Sequence, residues 1–314
     1  MRTLKISLLF IILSITIPAQ ETGWFWQNPL PTGNNLNGVF FTDSLTAIAV
    51  GNIGTILKTT DGGDNWIFQI SGTSQNLYEV LFTDIYNGFI VGGSGTILRT
   101  IDGGNTWFSQ TSGTMSGLVA LSFADASNGW AVGSHPDPFS FSTIIHTSDG
   151  GTTWTEQISE TYIPLHSVHF TDAITGTAVG GASGPPPGTP AGVILRTTNG
   201  GTNWITQLSD FAPKLDVYFI NSNVGWVVGT SSSILKTTDG GNNWSYQPSG
   251  SQGYLYDISF MNENIGFAVG RYGQILKTIN GGDNWLLQTS GTNTDLYSVS
   301  FKDEMNGTTV GKFW

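Results

Sequence analysis

One short acidic stretch has the residue types and spacing to do chemistry, and it recurs along the chain. In residues 58–66, KTTDGGDNW, two aspartates flank two glycines and a tryptophan follows. Carboxylates at this spacing suit a calcium loop, part of a hydrolytic site or a tight turn. Related stretches occur at residues 59–66, 100–107, 147–154, 197–204, 237–244 and 278–285.

Comparison of the six copies argues against calcium. The position of Asp64 holds Asn105, Thr152, Thr202 and Asn242 in other copies, and a hard cation needs several oxygen ligands with negative charge. We therefore predict structural turns, called box turns below. An Asp or Asn oxygen accepts backbone N–H groups, the glycines allow positive φ, and the tryptophan packs between sheets. The predicted structural residues are Asp61, Trp66, Asp102, Trp107, Asp149, Trp154, Asn199, Trp204, Asp239, Trp244, Asn280 and Trp285.

The elements that carry the box turns repeat every 40 to 50 residues. Each unit contains an alternating run such as LYEVLFTD (77–84), a run ending in Val-Gly such as GFIVG (88–92), a run such as TILRT (96–100), and a run that starts at the box tryptophan. Short antiparallel strands at this period are typical of β-propeller blades.

Counting the units predicts an all-β, seven-bladed propeller in a single domain, residues 20–314. Seven first runs begin near Leu36, Leu77, Leu118, Leu165, Leu215, Leu255 and Leu296. The stretch Trp24-Phe25-Trp26-Gln27 matches the W-x-x-Q of fourth strands and is predicted to close the last blade. After Gly311 only residues 312–314 follow, so that blade is predicted to lack a third strand and a box turn, and a truncated reading is the alternative.

The N-terminus predicts an exported protein. Arg2 and Lys5 precede an apolar run at residues 6–17, and Pro18 and Ala19 follow, which is typical of a signal peptide spanning residues 1–19. The expected location is the periplasm, the cell surface or the extracellular space. The chain has no cysteine, so disulfides do not stabilise it. With 22 acidic and 11 basic side chains, nucleic acid is not an expected partner.

The unit VGNIGTILKTTDGGDNW (50–66) resembles the repeat of the photosystem II assembly and stability factor-like propellers, and its box turn resembles the Asp-box or BNR repeat. The resemblance extends over nearly the whole of residues 20–314. It implies a seven-bladed, exported, non-enzymatic scaffold that holds a membrane protein during assembly, with a link to photosynthesis. It implies no cofactor, and we expect a monomer.

The sequence offers little support for an enzyme. Asp-boxes also occur in sialidases and glycoside hydrolases, but a sialidase needs an arginine cluster. After the signal peptide only Arg99, Arg196 and Arg271 remain, and the first two occupy repeat positions. His166 shares a slot with tyrosines of other units and is predicted to point at a packed sheet face. We expect no catalytic residue and no metal site.

Variation among the units predicts where a partner binds. Insertions at residues 134–142 and 181–192 and the links between blades fall on the face opposite the box turns. We therefore predict a binding rim for a protein partner on that face. A glycan ligand and a module of a longer secreted cell-surface protein are the alternatives. The rim residues are His135, Asp137, Phe139, Phe141, Tyr162, Pro186, Arg271 and Tyr272.

Overall fold

The computed structural model describes residues 24, 31–137, 139–182, 188–303 and 306–313. The predicted signal peptide, Pro186 and the predicted N-terminal strand apart from Trp24 lie outside these residues. Three single-turn 3-10 segments occur, at Gly93–Gly95, Thr230–Ser232 and Arg271–Gly273. In the described part of the chain, no helix has the length and apolarity needed to span a membrane.

The described residues form an all-β structure of 26 strands, numbered in chain order. The first three units are β1 Leu36–Phe41, β2 Ala47–Gly51, β3 Ile56–Thr59, β4 Ile67–Gln69; β5 Leu77–Phe82, β6 Gly88–Gly92, β7 Ile97–Thr100, β8 Phe108–Gln110; β9 Gly117–Phe123, β10 Gly129–Ser134, β11 Thr143–Thr147 and β12 Thr155–Ile158. The next three are β13 Leu165–Phe170, β14 Gly176–Gly181, β15 Gly192–Thr197, β16 Ile205–Asp210; β17 Lys214–Phe219, β18 Gly225–Gly229, β19 Ile234–Thr237, β20 Ser245–Gln247; β21 Leu255–Phe260, β22 Gly266–Gly270, β23 Ile275–Thr278 and β24 Leu286–Gln288. The last two strands are β25 Leu296–Phe301 and β26 Gly307–Gly311.

The prediction of seven blades is wrong, because the structure has six. Each unit from β1 to β24 is a four-stranded antiparallel sheet, whereas β25 and β26 form a two-stranded sheet. Only Lys312 and Phe313 are described after β26, so no third strand or box turn adds to it. Residues 25–27 of the predicted fourth strand lie outside the described residues, and Trp24 contacts Phe301 edge-to-face at 6.3 Å between ring centroids.

The first strands of the blades and β25 surround a central channel. Each first strand contacts the next, and β25 contacts both β21 and β1, so the ring is closed. At one end of the ring, the box face, lie the turns between first and second strands and the box turns. At the other end, the loop face, lie the turns between second and third strands and the links between blades.

The core lies between neighbouring blades and is rich in aromatic rings. The second strand of blade three presents Trp130, which is fully buried and stacks on Phe170 of blade four at 3.4 Å between centroids. Phe170 in turn meets the box tryptophan Trp204 edge-to-face at 5.8 Å. Trp226 and Phe260 repeat the stacking between blades five and six at 3.5 Å. The second-strand aromatic side chains are therefore core residues and do not form a ligand platform.

Hydrogen bonds within each box turn hold its tryptophan in place. In blade two, Thr100 Oγ1 donates to Asp102 Oδ1 at 2.8 Å and accepts the Gly104 N–H at 2.9 Å. The Asp102 carboxylate also accepts the N–H and the hydroxyl of Thr106. The hydroxyl bond from Thr106 is the largest of the effects that lower the pKa of Asp102 to about 2. Both oxygens of this carboxylate thus accept hydrogen bonds inside the turn.

One first strand departs from the predicted register. The strand of blade five begins with Lys214, which pairs with Gly229 as Leu77 pairs with Gly92. Lys214 therefore fills a buried slot occupied by leucine elsewhere, and it is fully buried. Its ammonium donates to both carboxylate oxygens of Asp210, at 2.7 and 2.8 Å, and to the Ala212 carbonyl. Sequence alternation could not indicate this pair because Asp210 belongs to the preceding blade.

We predict that Asp210→Asn destabilises the protein more than Lys214→Met does. The first change leaves a fully buried ammonium without a countercharge, which costs about 3 kcal/mol or more. After the second change, the partly exposed Asp210 carboxylate still accepts the Tyr246 hydroxyl at 2.6 Å, so we expect a loss below about 2 kcal/mol. Urea unfolding measures both, and equal losses would show that burial of the charge does not dominate.

Candidate functional site

A cavity of about 350 Å³ opens on the loop face at the end of the central channel. We call it the channel mouth. Apart from Asn35, its lining residues occupy equivalent positions in the first strands. In each unit, one residue of the first strand pairs with the last glycine of the Val-Gly run, and the lining residue follows it directly. The lining is Asn35, Asn37, Tyr78, Val119, His166, Leu215, Tyr256 and Tyr297.

A β-bulge places each of these side chains at the mouth. In blade two, Leu77 pairs with Gly92 and Glu79 with Val91, so Tyr78 has no partner in the register. The same skip occurs at every equivalent position around the ring. A bulge bends the strand and re-aims a side chain, so strict alternation does not hold here. His166 therefore lines the mouth instead of facing a packed sheet as predicted.

Glycines at the ends of the second strands fix the links that lead into the mouth. At Gly270 a Cβ atom would lie 2.0 Å from the Tyr254 carbonyl oxygen, so only glycine allows this approach. The same carbonyl accepts the N–H of the next residue, Arg271, at 2.9 Å. The Val-Gly endings of the sequence thus hold the link, and the mouth residue two positions after Tyr254, against the blade.

Tyrosines and one arginine form a cluster at the blade-six side of the mouth. The Arg271 guanidinium lies 5.3 Å from the ring centroid of Tyr254 and 4.6 Å from that of Tyr272. The Tyr256 ring meets the ring of Tyr297 edge-to-face at 5.5 Å. We call these five residues the tyrosine cluster. Because each ring has a packed neighbour, the cluster loses little side-chain freedom on binding a ligand.

Asp295 connects two members of the tyrosine cluster. Its carboxylate accepts the Tyr256 hydroxyl at 3.3 Å and the Tyr272 N–H at 3.0 Å. Burial is the largest effect that raises the pKa of Tyr256, and the nearby Asp295 charge adds to it. The Tyr256 hydroxyl therefore stays protonated and remains a hydrogen-bond donor at neutral pH.

Three carboxylates follow the mouth residues along the first strands. We call Glu79, Asp216 and Asp257 the channel carboxylates. All three are partly exposed, and each accepts a backbone N–H from the next first strand of the ring. The donors are Leu121 for Glu79, Ile258 at 3.0 Å for Asp216 and Val299 at 2.7 Å for Asp257.

The channel carboxylates repel one another. Burial is the largest effect that raises the pKa of Glu79 to about 8, and the Asp216 charge contributes to this rise from across the ring. Burial and the same Asp216 charge raise the pKa of Asp257 well above its usual range. In the described part of the chain, no Lys or Arg forms an ion pair with these three groups.

The predicted rim residues separate into two places. His135, Phe139, Phe141 and Tyr162 line a second cavity of about 460 Å³ beside the blade-three insertion, the blade-three pocket. Asp137 lies next to it and holds the loop through its bond with the Phe139 N–H at 3.0 Å. Arg271 and Tyr272 belong instead to the tyrosine cluster, and Pro186 lies outside the described residues.

Sequence reasoning missed the mouth tyrosines and the channel carboxylates. Tyr78, Tyr256 and Tyr297 recur in one slot, and an acidic residue follows two of them. This adjacency was the available signal, but period-2 alternation assigns consecutive residues to opposite faces. Only the bulge brings both to the channel.

The described residues do not assemble a sialidase-like arginine cluster. Arg99 lies over the Phe89 ring at 5.5 Å, Arg196 Nε donates to the Gly240 carbonyl at 2.7 Å, and Arg271 stacks in the tyrosine cluster. Among these same residues, no three His, Asp or Glu side chains are placed to hold a metal ion.

Removing the Glu79 carboxylate is expected to flatten the pH dependence of stability. A pKa raised on folding gives stability that is complete below pH 4.5 and is lost as pH rises through about 8. The unfolding free energy of the native protein should fall between pH 5 and pH 9. In Glu79→Gln this fall should be smaller than in the native protein by more than about 1 kcal/mol. Urea unfolding across this range measures the difference.

Asp84→Asn in the same blade is the matched control for that measurement. Hydrogen bonds from Asn87 lower the pKa of Asp84, so it titrates below this pH range. The control should keep the slope of the native protein. Identical slopes for Glu79→Gln and the native protein would contradict the raised pKa of Glu79.

Part of the chain is similar to a known protein family. Residues 68–213 match the family profile described as photosynthesis system II assembly factor YCF48. No match to an individually curated protein was found.

Solved structures share the fold at low sequence identity. YCF48 from Cyanidioschyzon merolae superposes with a TM-score of 0.69 at 19% identity, over 91% of this chain and 95% of that one. A structure of YCF48 bound to D1 peptide gives 0.70 at 19% identity, over 93% and 97%. The WD40 β-propeller domain of Doa1 gives 0.67 at 10%, over 88% and 90%. The resemblance predicted from the repeat is confirmed for residues 68–213, and the solved structures share the β-propeller fold of this chain.

Proposed function

We propose that this chain is a non-catalytic scaffold that binds a segment of a partner protein across the channel mouth. The observation that carries the proposal is the tyrosine cluster. Tyrosine and arginine are enriched among the residues that dominate protein–protein binding energy, because they combine a large contact area with a polar end. The cluster lies on the loop face, where the units differ most from one another.

The mouth is suited to a segment that is bound in a fixed orientation. The bulges set its side chains on a rigid ring of strands, and the links are held against the blades at glycines such as Gly270. Asp295 already orients the Tyr256 hydroxyl. A preformed site loses little conformational entropy on binding, so affinity does not require a large interface.

The blade-three pocket provides a second contact on the loop face. The Phe139 side chain is 87% exposed, and the Phe141 and Tyr162 rings lie 4.7 Å apart between centroids. Isolated exposed apolar residues are common, but here three aromatic side chains border one cavity. We propose that an extended partner reaches this pocket as well as the mouth.

A membrane protein under assembly is the partner that we propose. The support is the resemblance to YCF48, for which a complex with a D1 peptide has been solved. The chain would act as a monomer, and a role in photosynthesis requires that D1 or a similar protein is its partner. A glycan is the second candidate, because tyrosine rings and Asn37 at the mouth also suit a sugar.

Export is proposed from the N-terminal sequence, with Arg2 and Lys5 before the apolar run at residues 6–17. We predict that the protein isolated from its source cells begins at or next to Gln20 and is found outside the cytoplasm. N-terminal sequencing of the purified protein measures this. Recovery with Met1 in place would contradict export through this signal.

The mouth assignment predicts unequal effects of two similar substitutions. Tyr272 is 59% exposed on the loop face and Tyr86 is 60% exposed on the box face. We expect Tyr272→Ser to weaken capture of the partner by at least tenfold, as expected for a residue with a large share of the binding energy. Tyr86→Ser should leave capture unchanged. Affinity capture from a detergent extract, with quantitative mass spectrometry, compares both with the native protein.

Three outcomes of that capture bear on the proposal. A membrane protein that is lost with Tyr272→Ser alone supports the scaffold function, and direct binding of the D1 peptide would identify a photosystem partner. Equal loss with both variants contradicts the mouth assignment. Retention of polysaccharide with no protein would favour the glycan candidate instead.

A further inference from the structure

The channel carboxylates have no role in the proposed function so far, yet they lie directly below its binding surface. Tyr78 and Glu79 are consecutive residues of β5, and Tyr256 and Asp257 are consecutive residues of β21. Because a strand rises about 3.3 Å per residue, the carboxylates form a layer one residue deeper in the channel than the tyrosine rings. A side chain that enters the mouth meets the aromatic rings first and the carboxyl groups next.

Two of the channel carboxylates each use one oxygen to accept a backbone N–H of the next first strand. Glu79 uses Oε2 for the Leu121 N–H, and Asp257 uses Oδ2 for the Val299 N–H. Asp216 differs, since its two oxygens accept the Ile258 N–H and the Ser167 hydroxyl. Glu79 is therefore the group that can accept a further hydrogen bond, whereas the Asp257 carboxyl also interacts with the side chains of Asp216 and Ser298.

We propose that the channel mouth receives a lysine side chain of the bound partner segment. The four-carbon stem would lie against the rings of Tyr78, Tyr256 and Tyr297, and the ammonium would donate to the free oxygen of Glu79 and lie beside the paired carboxyl groups of Asp216 and Asp257. This rests on the proposed function and deepens it, because it specifies the chemistry of the partner at the mouth. The partner segment must present a lysine where it crosses the channel.

Charge complementarity favours a cation over a neutral side chain. Partly buried carboxylates without a countercharge are unfavourable, as the raised pKa of Glu79 reflects, and a cation relieves this. Tyrosine rings attract an ammonium through their negative faces. The chain as a whole is acidic, with a formal net charge of −11, which favours approach of a basic segment.

Lysine fits the channel better than the flat guanidinium of arginine. Its charge is compact and sits at the end of a flexible, slender stem. The mouth offers about 350 Å³ and lies at the end of a closed ring of first strands. Arg271 on the rim does not fill this place, because its guanidinium is stacked between Tyr254 and Tyr272.

The test uses two peptides that differ only in charge. Acetyl-Gly-Gly-Lys-Gly-Gly-amide is titrated into the ¹⁵N-labelled protein, and the same peptide with Nε-acetyl-lysine is titrated in parallel. The Leu121 and Val299 amides are the reporters, because they donate to the channel carboxylates. We expect these resonances to shift in a saturable way with the lysine peptide, and its affinity to exceed that of the acetylated peptide at least about tenfold.

Variants separate binding from a purely structural role of the carboxylates. Glu79→Gln and Asp257→Asn keep an oxygen acceptor for the backbone N–H groups and remove the charge, so each should weaken the lysine peptide about tenfold or more. Asp84→Asn, in a box-face turn of blade two, removes the same charge away from the channel and should change nothing. Far-ultraviolet circular dichroism confirms that each variant is folded.

The outcomes distinguish this inference from the proposed function. Equal binding of both peptides, or no effect of Glu79→Gln and Asp257→Asn, would overturn the lysine site. If partner capture still depends on Tyr272 in that case, the scaffold function stands without it. Loss of capture in the folded Glu79→Gln variant, together with selective binding of the lysine peptide, would support both.

Discussion

Stacking of aromatic rings between neighbouring blades is the interaction on which the rest of the structure depends. Each first strand ends in a phenylalanine, and in blade four Phe170 lies between Trp130 of the preceding blade and Trp204 of its own box turn. Such rings bury large areas and prefer these stacked and edge-to-face geometries. Equivalent aromatic pairs join blades two and three, blades five and six, and blade six and β25, and they stabilise these boundaries without disulfides.

The packing between blades also determines the role of the box turns, which is structural. The Asp102 oxygens are used by the N–H and hydroxyl groups of the same turn, and the second glycine, Gly104, packs against Ile48 of the preceding blade. The carboxylate and the backbone of the turn are thus both engaged in holding the turn and its neighbour together. Substitutions on the box face would disturb the turns that position the tryptophans. The loop face can therefore vary in sequence with less loss of stability.

The sequence predicts the repeat, the strands and the box turns because these depend on local patterns. TILRT and GFIVG mark strands by composition, and Asp-Gly-Gly marks a turn by the φ values that it requires. The number of blades was wrong because the last unit has only two strands, and a partial unit carries the same local pattern as a complete one. Lys214 was misplaced by one residue because a buried lysine is stable only through a contact with Asp210 in another blade.

The candidate site could not be predicted because a bulge is not visible in the pattern that it interrupts. Tyr78 and Glu79 read as two faces of a strand, but the skipped register brings both to the channel. The Glu79 carboxyl links two blades by accepting the Leu121 N–H. Its charged form is unfavourable in the channel, as its raised pKa reflects. A well-packed apolar residue would avoid that cost. A carboxyl group in this place has a use if a partner supplies a cation. The attraction between the carboxylate and that cation then contributes to the free energy of binding, although it is absent when the chain folds alone.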